Sequence, residues 1–96
     1  MIRVRVESPS GSKVLRFEGD EILVGRGRDC AVRVRDPGVA RRHARILKVK
    51  GAYRVEDLGA KDGILLNDRS VRSAWFRAGD RLVLGASRVV LEAILD

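Results

Sequence analysis

The sequence predicts an all-β fold, in which about ten short strands form a sandwich or a barrel. Three observations support this prediction. Short segments rich in valine, isoleucine and leucine recur along the whole chain, and clusters of residues that favour turns separate them. At the N-terminus, Ile2, Val4 and Val6 alternate with charged residues, which is typical of a strand with one buried face. No segment has the sustained apolar spacing of an amphipathic helix.

The predicted elements follow one another at short intervals. The first strand is IRVRVE, and the apolar segments after it are KVLRFE, EILVG, AVRV, HARILKVK, AYRVEDL, ILLN, RLVLG and SRVVLEAIL. The predicted turns between them are SPSGS, EGDE, GRGRD, DPGVARR, KG, GAKDG, NDRS and RAGD. Because function in such folds lies mostly in loops at the ends of the sheets, we expect the binding residues in GRGRD, DPGVARRH and DLGAKDG.

Length and composition predict one domain. The 96 residues have room for one modest core, so we expect a single domain over residues 1–96. Its length, and its end directly after the last predicted strand, lead us to expect a piece of a larger protein. No apolar run approaches the ~20 residues that cross a membrane, and the alternating N-terminus is unlike a signal peptide. We therefore expect a cytoplasmic location and no membrane contact.

The charge balance indicates an anionic partner. Lysine and arginine number 20 against 13 aspartates and glutamates, which gives a formal net charge of +7. A strongly basic small domain is typical of proteins that bind nucleic acid, acidic protein segments, phosphate or lipid headgroups. The alternative is that the basic excess mainly serves solubility, because these residues are spread along the chain and form no dense block.

The sequence offers no support for catalysis. One histidine and one cysteine are too few for a zinc site, so we expect no metal. Cys30 and His43 are a conceivable nucleophile and base, but Cys30 opens the apolar run CAVRV, where a small buried residue is usual. The glycines of VGRGRD precede neither Lys-Ser/Thr nor a helix, so they form no nucleotide-binding loop. We expect neither enzymatic activity nor a cofactor.

Three short motifs, taken in order, resemble the signature of the forkhead-associated (FHA) domain. They are Gly25-Arg26, Ala40-Arg41-Arg42-His43 and Asp62-Gly63, where that family has Gly-Arg, Ser-x-x-His and Asn-Gly. ILLN and RAGDRLVLG extend the similarity, which runs from about Ile22 to Leu91. The resemblance implies an FHA-type β-sandwich of about ten or eleven short, mostly antiparallel strands. It also implies a protein-interaction module that binds phosphothreonine through these loops.

Two arginines are the expected phosphate contacts. The resemblance assigns the main contact to Arg26, whose guanidinium fork suits phosphate oxygens, and Gly25 would let the chain turn sharply before it. Arg41 is expected to touch the phosphate through its backbone or side chain, with Arg42 as a solvated neighbour. The alternative for Arg26 is an ordinary surface pair with Asp29.

Four residues are expected to support the loops. They are Gly25, His43, Gly63 and Asn67. Under the resemblance, His43 holds its loop in shape through hydrogen bonds; the alternatives are a pH switch or an acid-base group. Asn67 follows ILLN and is expected to be a turn residue.

The departures from the family pattern concern the ligand. Ala40 replaces the serine, Asp62 replaces the asparagine that grips the ligand's backbone, and Ala60 and Lys61 replace the serine or threonine beside it. A hydrogen bond to phosphate contributes about 1.5–3 kcal/mol, and the charge of Asp62 adds a repulsion of about 1–3 kcal/mol. These losses bring a micromolar site close to millimolar, although Lys61 returns about 1 kcal/mol.

The sequence therefore predicts an FHA-type interaction module for a protein partner, with its phosphothreonine dependence weakened or lost. We expect the binding residues to be Arg26, Ala40, Arg41, Lys61 and Asp62. The alternative is a working phosphothreonine reader that uses Arg26, Arg41 and Lys61. Nucleic-acid binding by the basic surface comes third, because one tryptophan, one tyrosine and two phenylalanines are too few for a base-stacking platform.

Overall fold

The structure, a computed structural model, describes residues 1–95 as two β-sheets that share one hydrophobic core. The strands are β1 (Ile2–Ser8), β2 (Gly11–Phe17), β3 (Glu21–Gly25), β4 (Val32–Arg33), β5 (Ala44–Val49), β6 (Ala52–Asp57), β7 (Ile64–Leu66), β8 (Arg69–Val71), β9 (Ser73–Trp75), β10 (Arg81–Leu84) and β11 (Ser87–Ile94). These residues contain no helix that could span a lipid bilayer. The predicted all-β sandwich is confirmed.

The two sheets differ in strand order. It is β2-β1-β11-β10-β7-β8 in the six-stranded sheet and β4-β3-β5-β6-β9 in the five-stranded sheet. The pairing of β3 with β4 is parallel, and the other pairings between described strands are antiparallel. The first and last strands pair along their length, and the main-chain N–H of Leu95 donates to the carbonyl of Met1 at 2.8 Å. The two ends of the chain therefore support each other.

The core follows from alternation along the strands. Ile2, Val4 and Val6 of β1 face the second sheet and are at most 2% exposed, while the charged residues between them reach the surface. Phe76, directly after β9, is the largest fully buried side chain. Burying a side chain of this kind contributes about 1.5–3 kcal/mol to stability.

Three predicted segments differ from the observed strands. The AVRV segment forms only the two-residue strand β4, and β2 begins at Gly11, inside the predicted SPSGS turn, because its first residues pair with β1. Strands β8 and β9 were not predicted, and the turn NDRS was wrong at its last two residues, which belong to β8. Both strands lie at sheet edges and are mostly exposed, so they lack the apolar alternation that marks a strand in sequence.

Candidate functional site

Three loops meet at one end of the sandwich. Loop A (residues 26–31) follows β3, loop B (residues 34–43) follows β4, and loop C (residues 58–63) follows β6. The N–H of Arg26 donates to the carbonyl of Ala40 at 3.0 Å, and the next N–H donates to the carbonyl of Arg41 at 3.0 Å. These bonds lie beyond the last described pair of β3 and β5, Val24 with Ala44. They hold loops A and B at backbone distance.

Gly25 is required by this close approach. A Cβ atom at this position would lie 2.3 Å from the carbonyl oxygen of Arg41, which no side chain rearrangement could relieve. Its φ is not in the left-handed region, so this close approach, and not a positive φ, is what requires glycine here. Gly27 has the same role, because its Cβ atom would lie 2.9 Å from the same oxygen.

His43 joins loops B and C from inside the protein. It is 1% exposed, its Nδ1 accepts the N–H of Ala40 at 3.0 Å, and its Nε2 lies 2.7 Å from the carbonyl oxygen of Gly63. A carbonyl accepts only, so the Nε2–H tautomer of a neutral imidazole satisfies both contacts. The His43 carbonyl also accepts the N–H of Leu58 at 3.0 Å. This geometry agrees with the supporting role expected for His43 and Gly63.

Asp36 is a supporting residue that the sequence analysis missed. It is 3% exposed, and its carboxylate accepts hydrogen bonds from the Ser87 hydroxyl (2.7 Å), the Ala86 N–H (2.8 Å) and the Gly38 N–H (2.8 Å). Loop B is thereby anchored to the turn between β10 and β11. The bond to Gly38, two residues on, is the Asx turn that an Asp-Pro-Gly sequence favours, and this was the available sequence signal.

Acid should weaken this anchor. The bond from Ser87, with those from the Gly38 and Ala86 N–H groups, holds the pKa of Asp36 below its usual value. The ionised carboxylate therefore stabilises the fold above the unfolded-state pKa of about 4, and this contribution disappears as pH falls through the lower folded-state pKa. We expect the urea midpoint to fall less steeply with acid in Asp36→Asn than in the unmodified domain. The control variant Asp68→Asn, at an exposed site, should show the same dependence of the urea midpoint on pH as the unmodified domain. Equal dependence on pH in the unmodified domain and both variants would contradict the role of Asp36.

Five of the expected residues surround one surface depression. Arg26, Ala40, His43, Lys61 and Asp62 line a cavity of about 260 Å³, which we call the central depression. The Nε of Arg26 donates to the carbonyl of Val39 at 3.0 Å, so this guanidinium is held against loop B. Lys61 and Asp62 are exposed, and Ala40 is half-buried. All three loops thus contribute side chains to the central depression.

Arg41 is not among the residues that line the central depression. It lines a neighbouring cavity of about 440 Å³, the arginine cavity, together with Arg26, Arg28 and Arg33. Asp29 pairs with Arg42 at 2.6 Å, so the alternative in which Asp29 is the partner of Arg26 is not realised, and Arg42 is an exposed but paired residue. That Arg41 touches a phosphate stays a prediction.

Two further residues from the sequence analysis have structural contacts. Asn67 lies in the two-residue turn between β7 and β8, where both Asn67 and Asp68 have positive φ. Its side-chain NH2 donates to the carboxylate of Asp80, and its side-chain oxygen accepts the N–H of Arg81. It therefore supports a hairpin outside loops A, B and C.

The Cys30 thiol donates to the carbonyl of Arg41 at 3.0 Å, and burial raises the pKa of this thiol. Both observations agree with a structural role for Cys30.

Comparison with known proteins identifies the family. The FHA domain model matches residues 22–85. FhaA, an FHA domain-containing protein of Mycobacterium tuberculosis, is 30% identical over 90 residues, and the alignment covers 94% of this chain but 17% of FhaA. The glycogen accumulation regulator GarA of Mycolicibacterium smegmatis is 33% identical, with 85% of this chain and 60% of GarA covered. The chain therefore spans less than two thirds of either relative.

Solved structures agree with the sequence relatives. The FHA domain of FhaA, solved in complex with the intracellular domain of Rv3910, superposes with a TM-score of 0.86 at 26% identity, over 96% of this chain and all of that one. A second structure, from a study of phosphothreonine-dependent FHA domain interactions, has a TM-score of 0.84 at 26% identity and covers 98% and 99%. The fold, the ordered motifs and the family match lead to one conclusion: this chain belongs to the FHA domain family.

Proposed function

We propose that this FHA domain binds a protein partner through loops A, B and C, and that its dependence on phosphothreonine is weakened or lost. The interactions of related domains with protein partners support the first part. The second part rests on one observation. The central depression keeps Arg26 and the supporting His43, but it presents a methyl group at Ala40 and a carboxylate at Asp62.

The energies favour a weak phosphate site. Without the hydroxyl at position 40, the phosphate loses a charged hydrogen bond of about 1.5–3 kcal/mol. The Asp62 carboxylate repels the dianion, but it is exposed, so solvent screening keeps this repulsion near the lower end of about 1–3 kcal/mol. The remaining contacts, mainly the Arg26 fork, then give an affinity well below that of a micromolar site.

A second candidate is a working phosphothreonine reader. Lys61 lines the central depression, which supports a contact between its ammonium and a bound phosphate. Arg41 adds positive charge from the adjoining arginine cavity. We rank this candidate second because the formal charges of Lys61 and the neighbouring Asp62 cancel.

A titration with matched peptide libraries tests the proposal. The two libraries contain phosphothreonine or threonine in otherwise uncharged sequences, and backbone amide chemical shifts report which loops respond. We expect phosphorylation to strengthen binding by less than about tenfold, which is about 1.4 kcal/mol. A micromolar phosphopeptide complex that is lost on Lys61→Ala would contradict the proposal and establish the second candidate.

Nucleic acid is a separate arm of the same experiment. A protein that binds the phosphate backbone loses affinity steeply as salt rises, with a slope set by the number of contacts. We expect only feeble binding of duplex and single strands at physiological salt. Tight binding with a steep salt slope would instead make this domain a nucleic-acid-binding protein.

Three broader expectations are also proposals. A cytoplasmic location is supported by the complex of the related FhaA domain with an intracellular domain. Membership of a larger protein is supported by the greater length of FhaA and GarA. The lack of catalytic activity is supported by membership of a family of interaction modules, and it stays a prediction.

A further inference from the structure

The central depression continues into two more cavities. The arginine cavity adjoins it, because Arg26 lines both. A third cavity of about 370 Å³ is lined by Lys13, Arg33 and Arg35 together with serines of β1, β2 and the turn between them, and it shares Arg33 with the arginine cavity. The two additional cavities meet at Arg33, and we call them together the basic tract.

The positive charge of the basic tract is not neutralised by the protein. No ion pair within residues 1–95 involves Arg26, Arg28, Arg33 or Arg41. Asp29, the carboxylate that lines the arginine cavity, is already held by Arg42, which lies outside the lining. Clustered cations without counter-ions attract an anionic ligand and gain stability when it binds.

We propose that the basic tract docks an acidic, unphosphorylated segment of the protein partner, whose aspartate or glutamate carboxylates occupy the arginine cavity. This inference rests on the proposed function. Arginine forks form paired hydrogen bonds with carboxylates, and the hydroxyls of Ser8, Ser10 and Ser12 supply neutral polar contacts at the far end. Acidic residues of the partner thereby supply binding energy that, under the proposed function, the central depression no longer gains from a phosphate.

The lining favours a peptide over a nucleic acid. No phenylalanine, tyrosine or tryptophan lines the central depression or the two cavities of the basic tract. The exposed Trp75 lies on β9, where the Arg54 guanidinium stacks 4.8 Å from its ring centre. A single strand of nucleic acid would therefore find charge but no stacking surface, on which such binding depends.

An extended peptide has suitable dimensions. The longest axis of the domain is 33 Å. About ten extended residues span the same length at roughly 3.3 Å each, and in an extended chain alternate side chains face the same side. A repeat of glutamate and serine therefore presents all its carboxylates to the basic tract.

The test uses fluorescent Glu-Ser repeat peptides of about ten residues, with Gln-Ser repeats as the uncharged match. Fluorescence anisotropy should show binding of the Glu-Ser peptide and no binding of the Gln-Ser peptide. The affinity for the Glu-Ser peptide should fall by about tenfold as salt rises from low to physiological concentration. Arg28→Gln with Arg35→Gln should weaken it by about tenfold, because two charge contacts are lost. Both side chains are exposed, so the variant should fold normally, which its thermal midpoint checks.

A matched control separates the tract from net charge. Arg69→Gln with Arg72→Gln removes the same charge from exposed positions outside the tract, and it should change affinity by less than about twofold. Equal weakening by the two double variants, or no binding of the Glu-Ser peptide, would overturn the proposal. Tighter binding of an oligothymidine of equal charge would also overturn it. Because these peptides contain no threonine, failure here leaves the phosphothreonine titration as an independent test of the proposed function.

Discussion

Ala40→Ser combined with Asp62→Asn is expected to raise the affinity for phosphothreonine peptides by about a hundredfold or more. The serine hydroxyl adds a hydrogen bond to phosphate, and the asparagine removes a repelling charge while adding an amide for the peptide backbone. Together these changes amount to about 3 kcal/mol, since the repulsion is screened at the exposed position 62. Calorimetric titration with one phosphothreonine peptide and its threonine match measures the gain.

The geometry of loop B makes this restoration reasonable. The N–H of Ala40 is held by His43 and its carbonyl by the N–H of Arg26, so a new side chain at position 40 starts from a fixed backbone. Each single variant should bind more tightly than the unmodified domain. The two gains need not add, because both residues act on one ligand.

Adding Arg26→Ala to the double variant is the control. The gain should vanish, because the phosphate loses its guanidinium fork. A folded double variant that still ignores phosphothreonine would show that the three loops hold a different backbone shape. The loss of two side chains would then fail to explain the weak phosphate site.

His43→Ala is expected to destabilise the domain by about 3 kcal/mol. The substitution leaves a cavity in place of a fully buried imidazole and removes its contacts with the Ala40 N–H and the Gly63 carbonyl. For a domain of this size the thermal midpoint should fall by about 12–24 °C. Circular dichroism during heating, or urea unfolding followed by Trp75 fluorescence, measures the change.

Arg42→Ala provides the comparison next to it. Its exposed ion pair with Asp29 should contribute less than about 1 kcal/mol, so its thermal midpoint should stay close to that of the unmodified domain. If His43→Ala instead keeps full stability and loses only partner binding, His43 contacts the ligand directly. The supporting role would then be wrong.

Local patterns in the sequence determined the strand content and the place of the loops. Alternation at Ile2, Val4 and Val6 identified an inward face because a strand turns successive side chains to opposite sides, and this rule needs no distant residue. The turn clusters likewise marked loops A, B and C, since glycine, proline and aspartate favour turns through their own backbone preferences. The edge strands β8 and β9 were not predicted because an exposed strand needs no alternating pattern of apolar residues.

The contacts within the site were decided by the tertiary structure. Sequence motifs placed Arg41 among the expected phosphate contacts, and that contact stays a prediction. Folding brings Arg41 to the arginine cavity and leaves its carbonyl against Gly25 and Cys30. The hydrogen bond from the Ser87 hydroxyl to the Asp36 carboxylate joins residues 51 positions apart, and no local sequence pattern predicts it. Such contacts depend on how two sheets bring distant loops together, whereas strand alternation and turn preference depend only on neighbours. The sequence by itself therefore determined which loops form the candidate site, and only the packing of the sheets decided which residues meet there.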